Sequence, residues 1–253
     1  MWLMEEEGND RRFGYFEFGI QRSGTTLVDA TIRKHYNYWK ANDHINFKKD
    51  PYSPPPQPET MVWKHAIDFP LNFEKGSPVV LVYKNPYTWA ESMAFRKGLG
   101  NGAWNTSWGH ENLNLYPQPK PGWNNISVPG QGVTNIGQIM YVLKHWCDTW
   151  LAYAKEYPDS TVIVKYEDFI QDDKRQEIFR EMEQKFGWEK CEENIDLLAH
   201  VGSSQPITPE HIQYYLDGKP VDERFYRHGP RYIQSINDIL GRELIEELGY
   251  EFL

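Results

Sequence analysis

The chain has 253 residues, 40% hydrophobic and 25% charged, so it can bury a core as one large α/β domain or two small ones. A formal net charge of -9 and a pI of about 5.4 argue against the basic stripe of a general nucleic-acid binder, while leaving room for one basic pocket facing an anion. Two cysteines, Cys147 and Cys191, with no CxxC and no metal-ligand spacing, argue against a disulfide framework and for a reducing compartment.

The N-terminal stretch "MWLMEEEGNDRR" carries acids where a secretory signal carries bases, and no apolar run follows. No window approaches the ~20 apolar residues of a membrane span. The expectation is a soluble, cytoplasmic protein that does not engage a membrane. Residues 13–20, "FGYFEFGI", read as a buried aromatic strand ending at a glycine turn. Residues 25–36 then place Leu27, Val28, Ile32 and Tyr36 at helical spacing, with the helix opening at a Ser/Thr cluster. Residues 51–58, "PYSPPPQP", hold five prolines, which remove donors and fix φ, so they read as a surface loop. "MVWKHAI" (61–67) is a short strand candidate. "PVVLVYKN" (78–85) is the clearest strand: continuous and β-branched, as in a parallel sheet covered on both faces.

Residues 98–134 are rich in Gly, Asn and Pro and carry Trp104, Trp108, Tyr116 and Trp123. A loop this long is usually functional or disordered, and its aromatics favour an ordered lid over substrate. An apolar stripe from Ile136 to Ala154 marks a long helix. "STVIVKYED" (160–168) repeats the strand pattern, and 175–187 and 236–248 read as amphipathic helices. Strands alternating with helices predict an α/β fold with a central, largely parallel sheet flanked by helices. Residues 1–253 read as a single domain, with 98–134 as its candidate lid.

The turn between the first strand and helix is "GIQRSGTT" (19–26). A glycine turn leading into a helix N-terminus leaves N–H groups unpaired where the helix dipole favours an anion. The hydroxyls of Ser23, Thr25 and Thr26 add donors, and Arg22 adds a fixed positive fork. An ordinary βα turn needs one capping hydroxyl. The turn nearly matches the phosphate loop G-x-x-x-x-G-K-[ST], but Thr25 stands where that loop has lysine.

"QRSGTTL" resembles the 5′-phosphosulfate loop of sulfotransferases that use 3′-phosphoadenosine 5′-phosphosulfate (PAPS). A second motif of that family, a strand-end basic residue followed eight positions later by serine, is matched by Lys84 and Ser92 in "KNPYTWAES". The resemblance implies that both bind the donor's 3′-phosphate. "VKYEDF" is similar to the family's strand ending in Tyr-Glu-Asp, which implies an adenine contact by Tyr166. "FYRHG" resembles a late element that returns to the 3′-phosphate, which implies Arg227 and the backbone at Gly229. "MVWKHAIDF" resembles the segment bearing the catalytic base, which implies His65; adjacent Lys64 and nearby Asp68 are its substitutes. The resemblance spans roughly residues 13–250, with the first two motifs the specific ones. Two departures stand out: Arg22 replaces a lysine and gives up a proton far less readily, and Leu27 replaces a tryptophan that stacks on adenine.

These readings define an expected PAPS-dependent sulfotransferase of P-loop-like architecture. It transfers the sulfuryl group to a hydroxyl or amine of a small-molecule acceptor and releases 3′-phosphoadenosine 5′-phosphate (PAP). Arg22 and His65 are the expected catalytic residues. Arg22, Ser23, Gly24, Thr25, Thr26, Lys84, Ser92, Tyr166, Arg227 and Gly229 are the expected donor ligands. Trp63, His65, Trp104, Trp108 and Tyr116 are expected to line the acceptor pocket, which would suit an apolar or cationic face. No metal, nucleic acid or membrane partner is expected; the oligomeric state stays open. The rivals are a P-loop kinase or NTPase, and a non-catalytic nucleotide-binding module.

Overall fold

A computed structural model of the chain describes residues 12–20, 23–36, 38–40, 73–95, 136–189, 195–198, 207–218 and 229–253. The chain divides into two compact units, Met1–Lys84 with Thr149–Ile212, and Asn85–Asp148 with Gln213–Leu253.

The first unit is built on a sheet. Strands β1 (Arg12–Phe18), β2 (Tyr38–Lys40), β3 (Val79–Tyr83) and β4 (Thr161–Lys165) lie in the order β2-β1-β3-β4. Every pairing among them is parallel, with Phe18 opposite Leu81 and Tyr83 opposite Lys165. Parallel strands need a crossover between them. Helix α1 (Thr25–His35) is the crossover from β1 to β2.

Side chains alternate across β1, so the strand looks two ways. On one face the Tyr15 hydroxyl donates to Asp29 of α1 at 2.9 Å, and Asp29 is ion-paired with Arg33 at 2.7 Å. On the other face Phe18 stacks on Trp150, ring centroids 4.0 Å apart, with Phe73 edge-on to Phe18 at 5.5 Å. Trp150 belongs to α3 (Ile136–Glu156), whose residues 149–156 lie in this unit. Each fully buried aromatic or aliphatic side chain is worth about 1.5–3 kcal/mol relative to exposure. Helices therefore cover the sheet on both faces, and every residue of β3 is buried. The expected α/β fold with a parallel sheet between helices is what forms.

Short α4 (Tyr166–Phe169) follows β4 directly, and α5 (Asp172–Phe186) packs beside it. Arg175 of α5 is buried and donates to the carbonyls of Phe169 and Ile195, which ties the 195–198 segment to the helix. Trp188 closes the cluster against Tyr15, Tyr36 and Tyr38.

The second unit holds α2 (Pro86–Phe95), residues 136–148 of α3, and α7 (Gly229–Glu247). Asn85 caps α2: its Oδ1 accepts from the N–H groups of Tyr87 at 2.9 Å and Thr88 at 3.3 Å. Tyr87 donates its hydroxyl to Asn237 of α7 at 2.6 Å and accepts from the N–H of Leu253 at 3.2 Å. Tyr214, on α6 (Pro209–Asp217), donates to Glu91 of α2.

Several boundaries differ from the sequence reading. Tyr166, Glu167 and Asp168 sit in α4 and not at the end of a strand, because the chain turns into a helix straight after Lys165. Helix α5 begins at Asp172, three residues before the expected start, where Asp172 and Asp173 occupy its dipole-favoured first turn. Helix α7 begins at Gly229 and is interrupted at Gly241, where φ is 75° and ψ 157°; the expected 236–248 helix is its latter part. The proline-rich 51–58 loop, the 61–67 strand candidate and the 98–134 lid lie outside the described residues. Among the described residues no helix is long and apolar enough to cross a membrane.

Candidate functional site

The order β2-β1-β3-β4 creates a divergence. From β1 the chain crosses by α1 to β2 on one side, while β3 pairs with β1 on the other. In open parallel sheets a crevice opens outside the carboxyl ends of strands at such a point, and ligands bind there. Gly19, Ile20, Ser23, Gly24 and Thr25 follow β1, Lys84 follows β3, and Tyr166 follows β4. All three strands are parallel, so these residues gather at one end of the sheet.

The turn after β1 is held tightly. Ser23 N–H donates to the Ile20 carbonyl at 3.1 Å. Gly19 lies so close to β3 that an added Cβ would fall 2.5 Å from the Val82 carbonyl oxygen, 2.6 Å from Ser23 Oγ and 2.7 Å from Thr25 Cγ2. Gly24 takes φ of 107° and ψ of 3°, a left-handed conformation that only glycine adopts freely. It serves as the N-cap of α1, and its carbonyl accepts from Leu27 at 2.9 Å and Val28 at 3.2 Å.

Two features of this N-terminus favour an anion. Among the described residues no side chain caps α1, and no acid lies in its first turn, whereas Arg33, Lys34 and His35 occupy its last turn. The positive end of the helix is thus left without a countercharge from the helix itself. In addition, Ser23 is fully buried, and its Oγ has no hydrogen-bond partner among the described residues. A buried hydroxyl left so costs roughly 1–3 kcal/mol and calls for an explanation.

Lys84 is buried at the end of β3, with Nζ 5.8 Å from the centre of the Tyr166 ring. The same ring borders Gly24: a Cβ there would stand 2.8 Å from Tyr166 Cε2 and closer still to Cδ2. Five expected donor ligands, Ser23, Gly24, Thr25, Lys84 and Tyr166, therefore share one end of the first unit. Thr25 is buried and Thr26 exposed. Ser92 is buried on α2 in the second unit, where its hydroxyl donates to the Thr88 carbonyl at 2.8 Å. Gly229 is the first residue of α7. Arg22, Trp63, His65, Trp104, Trp108, Tyr116 and Arg227 lie outside the described residues, as do Lys64 and Asp68.

Two polar groups near the site escaped the sequence reading. Glu17 and Asp29 are both buried, on β1 and α1. Burial first, then the charges of Asp29 and Glu17, raise the Tyr15 phenol well above its ordinary 10.0. The i, i+4 spacing of Asp29 and Arg33 was the available signal for this network. Asn85 was also missed as a cap, although Asn-Pro is a turn-initiating pair. No family model, curated protein or solved structure matches the chain.

Proposed function

We propose that the protein is a sulfotransferase of P-loop-like architecture that moves the sulfuryl group of PAPS to a hydroxyl or amine of a small-molecule acceptor. The observation that carries this reading is the uncapped α1 N-terminus at the sheet's divergence point, with the buried Ser23 hydroxyl beneath it and a lysine at the end of the neighbouring strand. The resemblance of "QRSGTTL" and of the Lys84/Ser92 spacing to the family's motifs supports the same donor. Two cysteines without paired spacing support a reducing, cytoplasmic setting.

The residues fit such a donor. The first N–H groups of α1 and the Ser23 and Thr25 hydroxyls bind the 5′ anion, joined by Arg22. The motif resemblance assigns the 3′-phosphate to Lys84, with Ser92, Arg227 and the Gly229 backbone as its further expected ligands. Ser92 must turn its hydroxyl away from Thr88 to donate to a phosphate. The donor supplies an activated sulfuryl group with an anionic leaving phosphate. The protein supplies positioning and charge stabilisation. Arg22 stabilises charge that grows on the bridging oxygen, and His65 accepts the acceptor's proton, since an imidazole titrates near neutral pH. Trp63, Trp104, Trp108 and Tyr116 are the aromatics expected on the acceptor side.

Thermal-shift measurements with PAP against ATP–Mg²⁺ separate this reading from a kinase or NTPase. Turnover of PAPS across a panel of alcohols, phenols and amines separates it from a binding module. Stabilisation by PAP together with sulfation of any acceptor is the expected result. Preference for ATP–Mg²⁺, or tight PAP binding with no acceptor turned over, would overturn it. His65→Gln and Arg22→Ala should keep PAP binding within about tenfold and lose roughly 10²-fold or more in kcat.

A further inference from the structure

We propose that Tyr166 is a positioning residue of this site: its ring braces the left-handed Gly24 turn and holds the Lys84 ammonium beside it. The proposal rests on the anion-site reading above and gives Tyr166 a task separate from any contact with adenine.

Gly24 takes a left-handed conformation at no steric cost, but a glycine has many other conformations open to it, so the turn is ordered only if its surroundings hold it. The Tyr166 ring fills the volume into which a Cβ at Gly24 would project. The ring is delivered there by α4, which starts directly after β4, so its position is fixed by the sheet. The same ring has Lys84 Nζ at 5.8 Å from its centre, inside the ~6 Å range over which a ring attracts a cation. One side chain thus borders both the helix N-terminus that would receive one anion and the cation that would receive another. Tyr166 is only half-buried, unlike the core rings Phe18, Trp150 and Phe169. A tyrosine placed for core packing alone has no need to remain partly open at the carboxyl ends of the strands. Bracing of this kind improves affinity by ordering the site before the ligand arrives.

The test compares the full-length protein with Tyr166→Phe and Tyr166→Leu by calorimetric titration of PAP and of inorganic pyrophosphate, which has no base to stack. Bracing predicts that Tyr166→Leu weakens both ligands by roughly 2- to 30-fold, while Tyr166→Phe, which keeps the ring, stays within about twofold of wild type. A Tyr166→Leu protein that loses PAP affinity but binds pyrophosphate normally would assign the ring to the base and overturn the proposal. A second measurement needs no ligand. Gly24→Ala should lower the unfolding midpoint less in the Tyr166→Leu background than in wild type, because the clash is gone. Equal losses in the two backgrounds would overturn the bracing. Clear coupling in a protein that binds neither PAP nor pyrophosphate would uphold the brace on Gly24 and overturn the anion-site reading instead.

Discussion

Gly19→Ala adds a single methyl where the end of β1 meets β3. Three atoms stand within 2.7 Å of the new Cβ: the Val82 carbonyl oxygen, Ser23 Oγ and Thr25 Cγ2. One belongs to the sheet and two to the turn, so relief requires the turn to lift from the sheet by the better part of an ångström. Gly19 is not among the positive-φ glycines, so the cost is steric and not conformational. Overpacking of this kind costs typically 1–3 kcal/mol. At about 2–4 °C per kcal/mol for a chain of this size, the unfolding midpoint should fall by roughly 2–12 °C. The functional loss should be larger. A displacement near 1 Å at a positioning element can cost ~10²-fold in rate. Gly187→Ala is the control. Gly187 has φ of 68° with nothing within 4 Å of an added Cβ, so it carries strain of about 1–2 kcal/mol without touching the turn. Differential scanning and PAP titration of both variants decide the matter. Gly187→Ala should lose stability and keep PAP affinity; Gly19→Ala should lose both. A Gly19→Ala protein with wild-type PAP affinity would show that the 19–25 turn is not the anion site.

Lys84→Ala should weaken PAP by about 10- to 100-fold, the worth of a charged hydrogen bond, and scarcely change adenosine 5′-phosphosulfate, which lacks the 3′-phosphate; equal losses would remove Lys84 from that contact. Asn85→Ala frees two N–H groups at the start of α2 and should cost about 0.5–2 kcal/mol in urea unfolding, with Asn85→Asp retaining most of it. Stability should decline in alkali. Burial raises the Cys147 thiol far above 9.0 and the Tyr15 phenol well above 10.0, so above those values the unfolded chain releases protons that the folded chain keeps. The unfolded state then binds fewer protons, and each group lowers stability by up to ~1.4 kcal/mol per pH unit. Tyr15→Phe should flatten the decline above pH 10 and leave the stretch between pH 9 and 10 unchanged, as read from urea midpoints across pH; an unchanged slope above pH 10 would refute the assignment.

The parts legible in sequence were those whose local chemistry has one solution. "VVLVY" is continuous and β-branched, and it became the strand buried at every residue. An aromatic run, a glycine turn and a hydroxyl cluster read as strand, turn and helix, and β1 and α1 formed with Gly24 as the left-handed N-cap of α1. Other features had no local signal. Strand β2 is three residues long, too short for any periodicity, and exists because α1 returns the chain beside β1. Strand order is set by which faces match across the sheet, so the divergence between β1 and β3 could not be read from either segment alone. Glu17 carries no sequence signal for burial, yet it is fully buried, because β1 is covered on both faces. The contact between Tyr166 and Gly24, far apart in sequence, depends on β4 and β1 sharing a direction with β3 between them.

The placement of the cation bears on which donor the site suits. In a nucleoside triphosphate loop the lysine lies within the turn, beside one contiguous chain of phosphates. Here that position is Thr25, buried in the first turn of α1 and carrying no charge. The described cation is Lys84, on the next strand, reaching the crevice from the side opposite β2. Under the proposed function, the α1 N-terminus and the strand-end lysine would receive two separate anions and not one contiguous chain of phosphates. Adenosine bisphosphates carry their charge in that divided way, with one group on each side of the ribose. Under the proposed function, a charge divided in that way suits a 3′,5′-bisphosphate donor better than a triphosphate.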